Sequence, residues 1–115
     1  MATIRYLVND VEKSIEFYTK HFGFKLTQKM GPAFAIVSKY DLNVWLSGPQ
    51  SSAARPTPDG RQPEAGGWNR FVIEVDDIEL LVASMKSADI IFRSGKQILA
   101  EDPSGNPIEL FEPAK

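Results

Sequence analysis

The 115-residue chain has no cysteine and only one histidine, His21. Without cysteine there can be no disulfide and no Cys-based zinc site, which fits a reducing compartment. No apolar stretch is long enough to span a membrane, and Met-Ala-Thr-Ile-Arg at the start carries no signal-peptide core. Basic residues form no run and the formal charge is −2, so nothing points to nucleic acid. The expectation is a cytoplasmic protein with neither a membrane nor a nucleic-acid partner. A chain of this length is one domain, residues 1–115. It buries roughly two thirds of its surface on folding and needs no metal staple.

What the chain does contain is a faint internal repeat. Shifted by 67 residues, Ile4-Arg5-Tyr6-Leu7-Val8-Asn9-Asp10-Val11 lies over Phe71-Val72-Ile73-Glu74-Val75-Asp76-Asp77-Ile78. In each copy an alternating strand leads to an acidic helix cap and then an apolar-periodic helix. Val11, Ile15, Tyr18 and Phe22 form the first stripe, closed by Gly23; Ile78, Leu81, Val82 and Met85 form the second. The second helix is expected to end at Ser87-Ala88-Asp89. Strands are expected at residues 2–8, 24–29, 34–39 and 42–47, then from Phe71 to Val75 and at 90–92, 97–101 and 107–112. Breaks fall at Gly31-Pro32, Tyr40-Asp41 and Asp102-Pro103-Ser104-Gly105-Asn106, all turn chemistry.

The pattern predicts an α+β fold: two paired βαβββ modules, 1–48 and 68–115, forming an open mixed-sheet barrel or cup. The connecting stretch 49–67 holds four prolines and three glycines. It reads as a linker or as a lid over the rim of the cup. Strand alternation turns Thr3, Arg5 and Leu7 inward, with Asn43, Trp45, Ser47, Arg70, Val72, Glu74, Glu109 and Phe111. Trp68, after Gly66-Gly67, is placed either to close over a ligand or to staple the loop.

The runs Asn9-Asp10-Val11-Glu12-Lys13-Ser14-Ile15-Glu16-Phe17-Tyr18, Phe22-Gly23-Phe24 and Val75-Asp76-Asp77-Ile78 carry a family resemblance. The most specific run is Asp102-Pro103-Ser104-Gly105-Asn106-Pro107-Ile108-Glu109-Leu110-Phe111. Together they resemble the vicinal-oxygen-chelate superfamily, which includes glyoxalases, dioxygenases, fosfomycin-resistance transferases and bleomycin-resistance binding proteins. In its metal-dependent members the resemblance places ligands at positions that fall on Thr3, Trp45, Arg70 and Glu109. Only Glu109 is a ligand-type residue, because Arg has no acceptor and indole offers none. His21, beside Phe22 near the helix end, is expected to face solvent or the helix terminus. The resemblance therefore implies a small-molecule-binding protein that has lost the divalent metal site and needs no cofactor. The expected ligand-binding residues are Thr3, Arg5, Trp45, Arg70, Glu74, Glu109 and Phe111. Arg70 and Glu109 should be neighbours, either as a plug in the old site or with Arg70 gripping a ligand oxygen. The alternative is a metal-dependent lyase, epimerase or dioxygenase anchored on Glu109, the one candidate catalytic residue. A metal-free acid–base role for Glu109 or Glu74 would require burial to raise its pKa. Relatives of this kind are commonly homodimers whose cups are completed across chains, so a homodimer is expected. Phe92-Arg93-Ser94-Gly95-Lys96-Gln97 is shorter than the corresponding stretch in relatives. It reads as a deletion or as a missing stretch, with one wall of the cup at stake.

Overall fold

A computed structural model describes residues 2–85, 90–94 and 96–113. The expected Ser87-Ala88-Asp89 end of the second helix lies outside the described residues. The first module runs β1 (Ala2–Leu7), α1 (Val11–Phe22), β2 (Lys25–Met30), β3 (Phe34–Lys39) and β4 (Leu42–Ser47). The second runs β5 (Val72–Glu74), α2 (Ile78–Ser84), β6 (Ile90–Ser94), β7 (Gln97–Glu101) and β8 (Pro107–Phe111). A 3-10 turn at Ser52–Ala54 lies in the connection. Each module makes one mixed four-stranded sheet, in the orders β1-β4-β3-β2 and β5-β8-β7-β6. The sheets do not close into a barrel; they leave an open α+β cup.

The repeat survives in the details. Asp10 caps α1 by accepting the Lys13 N–H at 3.1 Å, and Asp77 caps α2 by accepting the Leu80 N–H at 3.1 Å. Parallel pairing sets Arg5 beside Trp45 in one sheet and Val72 beside Glu109 in the other. Gly23, at φ 69, takes the left-handed conformation that ends α1.

Two expectations need correction. β5 spans three residues rather than five, so Arg70 precedes the strand. An edge strand has a ladder partner on one side only, and Phe71 and Val75 hold on to β8 by single bonds, Glu109 N–H to the Phe71 carbonyl and Val75 N–H to that of Phe111. The second helix ends at Ser84, with Met85 already extended at φ −98 and ψ 151. Met85 is nevertheless buried, which explains why the apolar stripe ran past the helix. The short connection after Phe92 joins two paired strands. Ser94 pairs with Gln97, β6 runs along β7, and the fourth strand of that sheet is in place.

Both sheets turn their buried faces to one core, in which Tyr18, Val37, Val44, Leu46, Ile98 and Leu110 are almost wholly excluded from water. Aromatic rings cross from one module to the other. Tyr6 stacks on Phe71 with ring centroids 5.4 Å apart, and Phe24 meets the same ring edge-on.

The Asp102–Asn106 turn latches the modules. The buried Asp102 carboxylate accepts the Tyr18 hydroxyl at 2.9 Å and the Asn106 side-chain amide at 3.0 Å. It also accepts the backbone N–H groups of Ser104 and Asn106, each at 2.9 Å. Asn106 reaches the Leu7 carbonyl at 2.8 Å and receives the Gly66 N–H at 2.8 Å, which ties down the connecting segment. The Tyr6 hydroxyl donates to the Pro107 carbonyl at 2.8 Å.

Candidate functional site

The faces of the two sheets turned away from the helices carry the expected site residues. Alternation did sort these positions: Tyr6, Val44, Leu46, Ile73 and Leu110 are buried on the core side. Thr3, Arg5, Arg70, Val72 and Glu74 are exposed, while Trp45, Glu109 and Phe111 are half-buried. Ser47 departs from its set, being 1% exposed with a hydroxyl that has no hydrogen-bond partner among the described residues.

On the second sheet Arg70 and Glu109 meet, as expected. Arg70 Nη2 lies 3.0 Å and Nε 3.1 Å from the same oxygen of Glu109. Its remaining arm, Nη1, donates to the Trp68 carbonyl at 3.2 Å. Gln97 Nε2 approaches the other Glu109 oxygen at 3.5 Å. The guanidinium is thus committed on all sides that face protein. Glu74 stands exposed on edge strand β5, so the burial that an acid–base role would require is not present there. Phe111 pairs across the ladder with Gln97.

On the first sheet Arg5 lies over Trp45, its guanidinium carbon 5.0 Å from the ring centroid. Phe34 meets the same indole edge-on at 5.6 Å. Thr3 and Asn43 form a polar row, with the Asn43 amide 3.5 Å from the Thr3 hydroxyl, and Ser38 donates to the Asn43 carbonyl oxygen. Among the described residues no hydrogen bond or ion pair joins this cluster to the Arg70–Glu109 pair. Sequence reasoning missed Phe34 and Gln97 as parts of these surfaces. Parity along β3 and β7 could have placed them, but their contacts depend on cross-strand register.

Trp68 does not staple the loop, because it is 80% exposed. The connecting segment is folded locally, with Gln62 donating to the Ala54 carbonyl at 2.7 Å. Pro63 and Glu64 wall a cleft of about 380 Å³ with Leu7, Ser47 and Ser104. A second, more apolar cleft of about 400 Å³ lies between the Tyr40 turn and β5. The hollow beside Arg70, Gln97 and Glu109 holds only about 90 Å³. His21 sits in the last turn of α1 with its ring against Phe17 at 5.3 Å, on the opposite side of the sheet from these residues.

The sequence pattern of the Glyoxalase/Bleomycin resistance protein/Dioxygenase superfamily matches residues 1–110. Comparison with curated proteins gives no match. Among solved structures, a member of that superfamily from Sphaerobacter thermophilus superposes with a TM-score of 0.72 at 23% identity, covering 98% of this chain and 96% of that one. TnmS3, an antibiotic binding protein from Streptomyces, gives 0.68 at 22% identity over 97% of this chain and 93% of its own. Lactoylglutathione lyase from Agrobacterium tumefaciens gives 0.69 at 19% identity, covering 97% and 92%. At these identities the likeness establishes the fold alone, which hosts many chemistries.

Proposed function

The chain belongs to the Glyoxalase/Bleomycin resistance protein/Dioxygenase superfamily, and on that premise we propose that it is a cytoplasmic small-molecule-binding protein that works without the divalent metal of its catalytic relatives. The observation that carries this reading is the Arg70–Glu109 contact at 3.0 and 3.1 Å, in the place where the resemblance puts two metal ligands. A fixed cation there repels a divalent ion by roughly 4–8 kcal/mol at about 4 Å and moderate dielectric. It also engages one oxygen, Oε1, of the one carboxylate that could bind a metal. Thr3 and Trp45 offer no compensating donors, so this residue set does not suit a divalent ion. The binding surfaces are instead an ion pair with Phe111 and the exposed Glu74 on the second sheet, and Trp45 on the first.

The ligand space supports a homodimer. Pockets for drug-sized ligands measure roughly 300–1,000 Å³, and the hollow at Arg70 and Glu109 offers about 90 Å³. The molecule is also extended, 47 by 27 by 26 Å. A second copy laid against the open sheet faces would supply the missing wall.

The test is elemental mass spectrometry on untagged protein, repeated after addition of Mn²⁺, Ni²⁺, Zn²⁺ and Fe²⁺, with light scattering on the same sample. No retained metal and a dimer mass are expected. Near-stoichiometric metal would replace this reading with a metal-dependent lyase, epimerase or dioxygenase anchored on Glu109. A monomer at micromolar concentration would remove the second wall.

A further inference from the structure

The two open sheet faces differ in charge. Cross-strand register on the first sheet lines up Arg5, Trp45, Ile36 and Gln28, then Thr3, Asn43, Ser38 and Lys25, and finally Ser47, Phe34 and Met30. This face carries two cations, Arg5 and Lys25, and no carboxylate. The facing parity of the second sheet carries Glu74, Glu101 and Glu109 among its described residues, against Arg70 alone. An anion is therefore drawn to the first sheet and repelled by the second.

The two arginines also differ in what they have left to offer. Arg70 has committed one donor on each of its three nitrogens, two to Glu109 and one to the Trp68 carbonyl. The Arg5 side chain makes no hydrogen bond or ion pair among the described residues. Its guanidinium rests instead on the indole face of Trp45, 5.0 Å away. A guanidinium held over an indole by cation–π attraction spends none of its N–H groups on that contact, which leaves the fork available to grip a carboxylate with two parallel bonds. Beside it run Ile36, Phe34 and Met30, the last 58% exposed, which form an apolar strip along the same face.

We infer that Arg5, rather than Arg70, is the anion anchor of this protein, and that the surface takes a small aromatic carboxylate. The carboxylate meets the Arg5 fork, and the ring lies along the strip formed by Phe34, Ile36 and Met30. The inference rests on the small-molecule-binding reading and adds to it the chemical class of the ligand.

The test uses 2-naphthoate, the neutral 2-naphthamide and the cationic 2-naphthylmethylamine. Binding is followed by the Trp45 indole N–H resonance in a Trp68→Phe background. Naphthoate should shift that resonance saturably, and the amide and amine should bind at least about 5-fold more weakly, as loss of a charge-assisted pair requires. Arg5→Gln should weaken naphthoate by about the same factor, and Arg5→Lys should restore only part, because an ammonium lacks the planar fork. Lys20→Gln, which removes an equal charge from the exposed side of α1, should change nothing. Equal binding of naphthoate and naphthamide, or indifference to Arg5→Gln, would overturn the inference while leaving a small-molecule site at Trp45. Silence of the Trp45 resonance toward all three compounds would overturn the inference and count against the binding reading itself.

Discussion

Replacing Asp102 with alanine should cost more stability than any single change on the open sheet faces. The carboxylate takes four hydrogen bonds, from the Tyr18 hydroxyl, the Ser104 and Asn106 N–H groups and the Asn106 side-chain amide. Two of these donors would be repaired without it. The Asn106 amide keeps the Leu7 carbonyl at 2.8 Å, and the half-buried Ser104 N–H can reach water. The Tyr18 hydroxyl and the Asn106 N–H would be left buried and unpaired, since Tyr18 is 0% and Asn106 3% exposed. Each such orphan costs about 1–3 kcal/mol. Part of that is returned, because burial already penalises the charged carboxylate. A net loss of about 3 kcal/mol follows, against a total stability of roughly 5–15 kcal/mol for a domain of this kind. Asp102→Asn keeps an acceptor for the backbone and should lose only about 1 kcal/mol. Urea unfolding at neutral pH, followed by circular dichroism, measures both. An alanine variant within about 0.5 kcal/mol of the parent, the range of ordinary surface changes, would refute the latch. A coupling between Tyr18→Phe and Asp102→Ala below about 0.5 kcal/mol would do the same.

Burial also pushes the Asp102 carboxyl above its ordinary 3.8. The folded chain therefore keeps this proton to higher pH than the unfolded chain. Its contribution is full below 3.8 and is lost as pH rises through the folded value, a segment of the stability profile that Asp102→Asn should lack. Tyr6 behaves alike at the alkaline end, since burial raises its hydroxyl from 10.0 to about 12. Stability should fall by on the order of 2–3 kcal/mol at most as pH rises across that interval, and Tyr6→Phe should flatten the fall. Ser47→Ala removes a buried hydroxyl without a partner, and it should raise the urea midpoint by an amount worth about 1 kcal/mol. Gly48→Ala should lower the midpoint, at a cost of roughly 1–3 kcal/mol. Its new methyl would stand 2.8 Å from a Val11 methyl and 3.1 Å from the Pro32 carbonyl.

Much of this protein is legible in its local chemistry. Alternation and turn residues place β3, β4 and β7 at the observed bounds, because these strands are flanked by breaks and half-buried along their length. The repeated Asp10 and Asp77 caps are visible because an acidic residue before an apolar stripe has one helix-starting role. The Arg70–Glu109 contact follows from the family resemblance alone. The end of α2 is misjudged from spacing because burial continues through Met85 after its backbone leaves the helix.

The sequence by itself determined the module plan, the core-facing side of β1, β4, β5 and β8 at most positions and the poverty of metal ligands, because all three depend on residue type and short-range spacing. Only the tertiary structure decided that Asp102 is an inter-module latch, since its partner Tyr18 lies 84 residues away. Only cross-strand register, a long-range property, set Arg5 against Trp45 and left it unpaired while Arg70 was consumed by Glu109. Spacing along the chain reports which face a side chain takes; which neighbour it then meets depends on how distant strands are laid side by side.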